Sequence, residues 1–421
     1  MSRTLTQWLA HLEKLHPVAI DLGLERIRIV AERLGLLDGP IARQVVTVAG
    51  TNGKGSTVAM LDAVTRAHGL STASYTSPHL LRYNERLRLN GEEVSDESLI
   101  DAFERIEAVR ADTGLTYFEM GTLAALVIIR DRAPDIAILE VGLGGQLDAT
   151  NIIDANVGIV TSVALDHADF LGTDIERIGV EKAGILRAGR PAILGSRQMV
   201  ASVAAHAAAL PVSRALVLGQ DFDWQREADG CWQWHRAGDE TAPVWQHLPD
   251  PGLPLDNAAS VLAALEALGM TLEAPSLAQA FSGICLAGRM QRIDRYCLDV
   301  AHNPHAATYV AAQLSRRPVT RRVALLGMLG DKDAEGVIEA LWPVVDDWLP
   351  VTLSGTRARG GETLADIIRA RGGQVIAVAE SPTAGIDWLE QHSQHDDVLV
   401  CGSFFTVAEV LARLERGEGT A

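Results

Sequence analysis

Basic residues are in the minority in this chain of 421 residues: Lys and Arg total 37 against 54 Asp and Glu, a formal charge of −17 at pH 7. A nucleic-acid binder needs a basic face to displace counterions from phosphates, and the global balance gives none. An anionic small molecule is still admissible, provided that a local cation, a metal ion or backbone amides receive it. Cysteine is scarce too. Cys231, Cys285, Cys297 and Cys401 show no CxxC spacing, which argues against a zinc site or a redox dithiol. In a chain this long a disulfide framework is also not expected. Aromatics make up only 5 %, so the core must rest on Leu, Val, Ile and Ala. No run of about 18 apolar residues occurs, so no membrane-crossing helix is expected. The opening MSRTLTQWLAHLEKLHP is broken by charges, which does not fit a leader segment. The expectation is a soluble cytoplasmic protein whose partners include neither membrane nor nucleic acid.

What is present is a repeating pattern. Helical periodicity marks 5–16 and 24–36, and the apolar run QVVTVAG at 44–50 reads as a strand. A glycine-rich stretch follows, and then a helix from Thr57 to His68. Further strands are expected at 135–141, 157–163 and 191–195, with helices such as 119–130 between them. Alternation of this kind predicts a parallel α/β sheet. From 197 to 255 the pattern weakens around Trp224, Trp232 and Trp234, which suggests a peripheral β-rich insertion; helix 256–268 follows. Alternation then resumes, with strands at 296–300, 322–328, 374–378 and 397–401. Helices are expected at 305–315, 335–345, 361–371, 382–391 and 405–416. The division drawn from this is 1–285 and 286–421.

The strongest local signal is Gly50-Thr51-Asn52-Gly53-Lys54-Gly55-Ser56. Glycines let backbone N–H groups close around phosphate oxygens, and Lys54 can bridge the terminal phosphates. The plain alternative is an ordinary strand-to-helix turn. Gly55 stands where the usual phosphate loop has its metal-binding hydroxyl, so a Mg²⁺ ligand must come from Ser56 or from elsewhere. Three strand ends offer one: Ser77 in SPHL, Glu140 closing DIAILE, and His167 after VGIVTSVAL. Taken singly, a Ser-Pro is usually a turn and a lone histidine a structural donor. The cluster Arg82, Arg86 and Arg88 reads either as a steering patch for carboxylates or as a solvated strand face.

The chain resembles the bifunctional dihydrofolate synthase/folylpolyglutamate synthase family within the Mur ligase superfamily. The residues that carry the resemblance are AGTNGKGS (49–56), SPHL (77–80), TYFEMGTLAAL (116–126), LEVGLGGQLDATN (139–151), ALDHADFLG (164–172), EKAGI (181–185), AGRMQ (287–291), DVAHNPHA (299–306), GMLGDKD (327–333) and VCGSF (400–404). They run in the family order across nearly the whole chain. The resemblance implies an α/β protein: an N-terminal P-loop ATPase domain with a mainly parallel sheet, and a smaller C-terminal Rossmann-like α/β domain, with ATP and substrates in a cleft between. It implies that Gly53, Lys54, Gly55 and Ser56 hold ATP phosphates and that Ser77, Glu140 and His167 bind Mg²⁺. Lys182, in EKAGI, corresponds to the family's carbamylated lysine, a ligand for a second Mg²⁺; unmodified, it reads as a phosphate contact or a solvated helix residue. Asn257, Arg289 and Asp299 would hold adenosine, and His302 and Ser403 the incoming L-glutamate. A monomer is implied.

Two segments point to a folate acceptor. Leu24, Glu25 and Arg26, in DLGLERI, resemble the stretch near the pterin in the bifunctional bacterial enzymes, although Asp21 could equally be a helix cap. Thr116 and Phe118 form the second, with Phe118 able to stack on an aromatic ring or to serve as core; Asp148 is a third contact. Dihydropteroate and reduced folates are therefore the expected acceptors, joined to L-glutamate through an acyl phosphate, with Lys54, Glu140, His167 and Lys182 carrying the chemistry. A synthase restricted to polyglutamylation stays open. A peptidoglycan-type ligase fits less well with the short GTNGKGS loop, SPHL and DLGLERI. A nucleotide-binding switch would bind ATP without glutamate-dependent turnover, and no GxGxxG supports a dehydrogenase.

Overall fold

Short apolar runs that are buried on both faces, such as IAILE (136–140) and VGIV (157–160), are what a central parallel sheet requires. The computed structural model describes residues 3–418 apart from 17, 19, 239–243, 356 and 394–395. It falls into two units, Met1–Ile284 and Cys285–Ala421.

In the first unit the strands are β1 (Gln44–Ala49), β2 (Thr72–Tyr75), β3 (Leu87–Leu89), β4 (Glu92–Glu93), β5 (Ile136–Glu140), β6 (Val157–Val160), β7 (Pro191–Leu194) and β8 (Arg214–Val217). They form one sheet in the order β4-β3-β2-β5-β1-β6-β7-β8. β2, β5, β1, β6, β7 and β8 run parallel, and only the β3 and β4 edge is antiparallel. The helices are α1 (Leu5–Leu12), α2 (Glu25–Arg33), α3 (Lys54–Ala67), α4 (Asp96–Arg110), α5 (Tyr117–Arg132), α6 (Ala168–Leu171), α7 (Ile175–Ala183), α8 (Ala201–Ala209), α9 (Leu255–Ala267) and α10 (Ala274–Ser282). Helix α5 is apolar around its whole circumference, with Met120 to Ile129 all buried, because it packs between the sheet and α4.

The stretch 197–255 corrects the expectation of a peripheral insertion. Its first third continues the main fold as α8 and the parallel strand β8; the alanine-rich helix and four-residue strand are too short to show a period. Only β9 (Phe222–Arg226), β10 (Trp232–Arg236) and β11 (Trp245–Leu248) form a separate antiparallel sheet. That sheet is anchored on its tryptophans. Trp232 and Trp234 are fully buried, Trp234 Nε1 donates to the Ala259 carbonyl (3.1 Å), and Trp224 Nε1 donates to Asp256 (2.7 Å). All three tryptophans thus serve to hold α9 and its neighbourhood.

The second unit is a six-stranded sheet in the order β12-β13-β17-β14-β15-β16, antiparallel only at β12–β13. Its strands are β12 (Gln291–Ile293), β13 (Tyr296–Leu298), β14 (Arg322–Leu326), β15 (Asp347–Pro350), β16 (Gln374–Val375) and β17 (Asp397–Cys401). The helices are α11 (Pro304–Ser315), α12 (Ala334–Leu341), α13 (Gly361–Ala370), α14 (Pro382–His392) and α15 (Phe404–Glu418). β15 was not anticipated: DWLP ends in proline, a residue that usually argues against a strand. The strand expected at 374–378 shrinks to two residues at the sheet edge. No helix among the described residues is long and apolar enough to cross a membrane.

Candidate active site

Strand order decides which loops meet. β2, β5, β1 and β6 are adjacent, so the segments leaving their carboxyl ends converge on one edge, where ligands of open α/β sheets bind. Those segments carry Ser77, Glu140, the loop 50–56 and residues 161–167. The register sets Glu140 level with Val48, two residues before the loop.

The loop itself needs glycine at two places. Gly50 has φ +151°, and a Cβ there would lie 1.9 Å from Thr161 Oγ1. Gly53 has φ +90°, and its Cβ would meet Asn257 at 2.6 Å. Helix α3 begins at Lys54, and its first intrahelical bond is Thr57 N to Gly53 O (3.0 Å). The N–H groups before Thr57 therefore have no partner in the helix, which makes this end a cradle for anions. Lys54 Nζ rests on the carbonyls of Gly50 (3.0 Å) and Thr51 (3.4 Å). Asn257, on α9, donates to Ser56 Oγ (2.9 Å) and Gly53 O (3.3 Å). Its amide thus braces the loop from behind.

Glu140 is 4 % exposed and accepts from the Ser77 N–H (3.2 Å). A Cβ on Gly55 would sit 3.8 Å from its carboxylate, so the acidic group faces the first turn of α3. Ser77, Glu140 and the loop are therefore together, as the sequence suggested. His167 is placed differently: β6 ends at Val160, and His167 lies seven residues on, exposed, with φ +53° at the start of α6. Asp166, passed over in the sequence reading, is the more buried of the two, its side chain 7 % exposed against 40 % for His167.

Lys182 is 4 % exposed. Burial, and then the positive charge of Lys54, bring its pKa down to about 7, while Asp166, Glu181 and Asp148 oppose the shift. It is not a solvated helix residue. Near neutral pH a large share of this amine is uncharged, and an uncharged amine is the form that reacts with CO₂.

The acceptor-side residues are assembled by one network. Arg26 contacts Asp21 Oδ2 (2.7 Å) and Glu119 Oε1 (3.2 Å). Glu119 closes a capping box with Thr116 (2.7 and 3.2 Å). Leu24 and Glu25, at the start of α2, are thereby tied to the start of α5, where Phe118 sits. The Phe118 ring covers Gly142, whose Cβ would fall 2.5 Å from Cζ, and lies 6.3 Å from the Tyr75 ring. Asp148 accepts from Gly142 N (3.0 Å), Leu143 N (2.9 Å), Thr150 N (3.0 Å) and Thr150 Oγ1 (2.7 Å). Both its oxygens hold that loop in shape, and burial still pushes its carboxyl above the usual range.

The arginine cluster divides. Arg88 pairs with Glu93 (2.7 Å), and Arg82 is 66 % exposed: the solvated-face reading. Arg86 is different, donating to His79 Nδ1 (2.9 Å) and lying over the rings of Tyr83 and Tyr117 at 5.2 and 5.6 Å. Burial and Arg86 together drop His79 to about 4. Sequence gave no hint of this aromatic box, because its members are up to 42 positions apart in the order Tyr75, His79, Tyr83, Arg86, Tyr117.

In the second unit, Asp299 follows β13 and accepts from Met290 N (2.9 Å) and Ala301 N (2.8 Å). Burial raises its carboxyl pKa, and Arg289 opposes that. The Arg289 guanidinium lies 5.0 Å over Phe404, whose ring is 6.2 Å from His302. The structure thus gathers Arg289, Asp299 and His302, with Phe404 as the unforeseen member. Ser403 is buried, and its Oγ accepts from the Thr406 N–H (3.0 Å), so its hydroxyl caps the start of α15. Among the described residues, the one group of three His, Cys, Asp or Glu side chains with ligand atoms within 4.8 Å of one another is Glu227, Asp229 and His247. It lies on the small antiparallel sheet, not at this edge.

Residues 48–214 match the Mur ligase middle domain, and residues 288–404 match the Mur ligase glutamate ligase domain. The chain is 43 % identical to the dihydrofolate synthase/folylpolyglutamate synthase of Escherichia coli over 412 residues, covering 97 % of this chain and 94 % of that protein. Its fold superposes on E. coli FolC in complex with DHPP and ADP with a TM-score of 0.93 at 41 % identity, covering 99 % of each chain. A bifunctional folylpolyglutamate synthase/dihydrofolate synthase with Mn, AMPPNP and L-glutamate bound gives a TM-score of 0.89 at 41 % identity over 98 % of each.

Proposed function

The chain belongs to the Mur ligase family, in its dihydrofolate synthase/folylpolyglutamate synthase group, and from that premise we propose how its residues divide the work. It is an ATP-dependent ligase that joins glutamate to folates, using divalent metal ions. What carries the assignment of roles is the convergence of the phosphate loop, Ser77 and Glu140 on adjacent strand ends, with a buried, easily neutralised Lys182 close to Lys54.

The loop amides and Lys54 receive the ATP phosphates, and Asn257 keeps the loop in that shape. Arg289 and Asp299 serve adenosine, and His302 serves the incoming glutamate. Ser403 acts through the start of α15. The donor set suits a hard cation: a buried carboxylate at Glu140, the Ser77 hydroxyl, and the carbamate oxygens that Lys182 would gain. Glu140, Ser77 and His167 would hold one Mg²⁺ and carbamylated Lys182 a second. Bound there, the ions supply charge neutralisation for phosphoryl transfer.

Chemically, the acceptor carboxylate takes the γ-phosphoryl group of ATP and becomes an acyl phosphate; ADP leaves. The uncharged amine of glutamate then attacks the acyl carbon, and phosphate departs from the tetrahedral intermediate with formation of the amide. Lys54 and the loop N–H groups stabilise negative charge on the transferring group without reorganising. The concentration of cations and amides at one edge explains how a protein of charge −17 handles anions.

The direct test is ADP release with ATP, Mg²⁺ and L-glutamate, comparing dihydropteroate, a reduced folate monoglutamate and no acceptor. Turnover with both acceptors is expected. Turnover with the folate alone would leave a polyglutamate synthase and undercut the assignment of Leu24, Glu25 and Arg26 to the pterin. No stimulation by either would remove the acceptor assignment.

Phe118→Ala should raise KM for dihydropteroate about tenfold, the order expected for losing one aromatic stack together with its area. KM for ATP should stay within about twofold, since the ring covers Gly142 rather than the phosphate loop. Equal loss for both substrates in steady-state kinetics would count against this role.

A further inference from the structure

We infer that Thr161 and Ser162 are positioning residues for the nucleotide, acting as a clamp that turns the peptide planes of the phosphate loop; this rests on the reading of that loop as the ATP site. Loop carbonyls are the hazard in any backbone cradle for phosphate. A peptide presents either its N–H or its C=O to a ligand, and an oxygen turned inward repels an anion. Here each of four consecutive carbonyls is claimed by a donor of the protein. Lys54 Nζ takes those of Gly50 and Thr51. Gly53 O accepts from Ser56 Oγ (2.9 Å), Thr57 Oγ1 (2.8 Å) and Asn257 Nδ2 (3.3 Å).

The remaining one, Asn52, sits at the tip, and its carbonyl accepts from two hydroxyls at once. Thr161 Oγ1 donates to it at 2.8 Å and Ser162 Oγ at 3.0 Å. The Asn52–Gly53 bond is not among the cis peptides, so its C=O and N–H point in opposite directions. Pinning the oxygen toward the segment after β6 turns the Gly53 N–H away from that segment. Gly53, at φ +90°, can follow that plane where other residues would be strained.

Four further bonds fasten the same two segments. Thr51 N donates to Ser162 O (2.8 Å), and Asn52 N to Ser162 Oγ (3.1 Å). Thr51 Oγ1 donates to Ala164 O (3.1 Å) and accepts from Ala164 N (3.0 Å). Thr161 is 2 % exposed and Ser162 9 %, so water does not readily replace these hydroxyls. A loop held this way has little conformational entropy left to lose when phosphate binds, which is how positioning contributes to affinity.

The test uses the full-length enzyme and the variants Thr161→Val, Thr161→Ser, Ser162→Ala and Thr161→Val/Ser162→Ala. Calorimetry with Mg·ADP gives Kd, steady-state kinetics give KM for all three substrates, and melting gives Tm. The double variant should raise both Kd for ADP and KM for ATP about thirtyfold, the scale of two buried hydrogen bonds. KM for acceptor and glutamate should stay within about twofold, and Thr161→Ser should recover to within about threefold of wild type because it keeps the hydroxyl. ADP bound equally by wild type and double variant would overturn the clamp. So would a parallel rise in every KM, or Thr161→Ser behaving like Thr161→Val, since each describes a merely structural pair. If the double variant does not fold, the Thr161→Ser and Thr161→Val pair decides alone. Wild-type protein that fails to bind Mg·ADP would instead remove the reading of the loop itself.

Discussion

Replacing Lys54 by alanine is expected to lower kcat/KM for ATP by about 10³-fold while leaving the fold intact. The size follows from where the charge sits. Lys54 Nζ hangs over the loop on two backbone carbonyls, so under the proposed roles it would face the terminal phosphates while remaining part of the loop. Removing it leaves negative charge on the transferring group with only amides and metal to face it. The structural loss is small, because the two hydrogen bonds it gives up are to partly buried carbonyls at the rim of the loop. Melting within a few degrees of wild type should accompany the loss of turnover. Lys54→Arg should not restore activity, because a planar fork cannot take the position of a compact ammonium between two carbonyls. Coupled ADP-release assays within about tenfold of wild type for Lys54→Ala would remove Lys54 from its assigned role.

Lys182→Ala carries the second large effect, a fall in turnover of about 10³-fold, with part of it restored by added acetate or formate. The rescue is the informative half. If Lys182 works as a carbamate, what the site loses is a pair of carboxylate-like oxygens, and a small carboxylate entering the vacated volume replaces them. If Lys182 works as a cation toward phosphate, a carboxylate does nothing and methylamine would serve better. The pKa of about 7 also fixes a sign for stability. Between about 7 and the unfolded value near 10.5, the unfolded chain holds a proton that the folded chain lacks. For the unmodified amine, stability from this group is therefore lowest below pH 7 and rises as pH increases toward 10. Lys182→Met has no such slope, so its Tm advantage should be largest at pH 6 and shrink toward pH 10. A constant Tm difference across that range would contradict a buried, depressed amine.

Much was legible in the sequence because it is local. The phosphate loop announces itself, since a strand, glycines and a helix are adjacent in the chain and glycine is demanded by backbone geometry at Gly50 and Gly53. The alternation of strand and helix likewise gave the α/β class of both units. Misreadings came where the period was short or the context lay elsewhere: α8 with β8 in the weak stretch, and β15 ending in proline. At the site, sequence proposed Asp148 and Asn257 as ligand contacts. The fold adds a duty to each without deciding that role: Asp148 accepts from Gly142, Leu143 and Thr150, and Asn257 braces Gly53 from 204 positions away.

By itself, then, the sequence determined the class of fold, the anion cradle and the set of acidic and basic residues available to a ligase. Only tertiary structure decided their duties. Strand order put β2, β5, β1 and β6 side by side and so brought Ser77 to Glu140. Burial separated Lys182 from an ordinary lysine, and contacts with His79, Tyr83 and Tyr117 separated Arg86 from Arg82 and Arg88. Hydrogen bonds across 109 and 110 positions chose Thr161 and Ser162 to hold Asn52. The reason is physical: backbone preference is set by neighbours in the chain, whereas desolvation and hydrogen-bond geometry are set by neighbours in space.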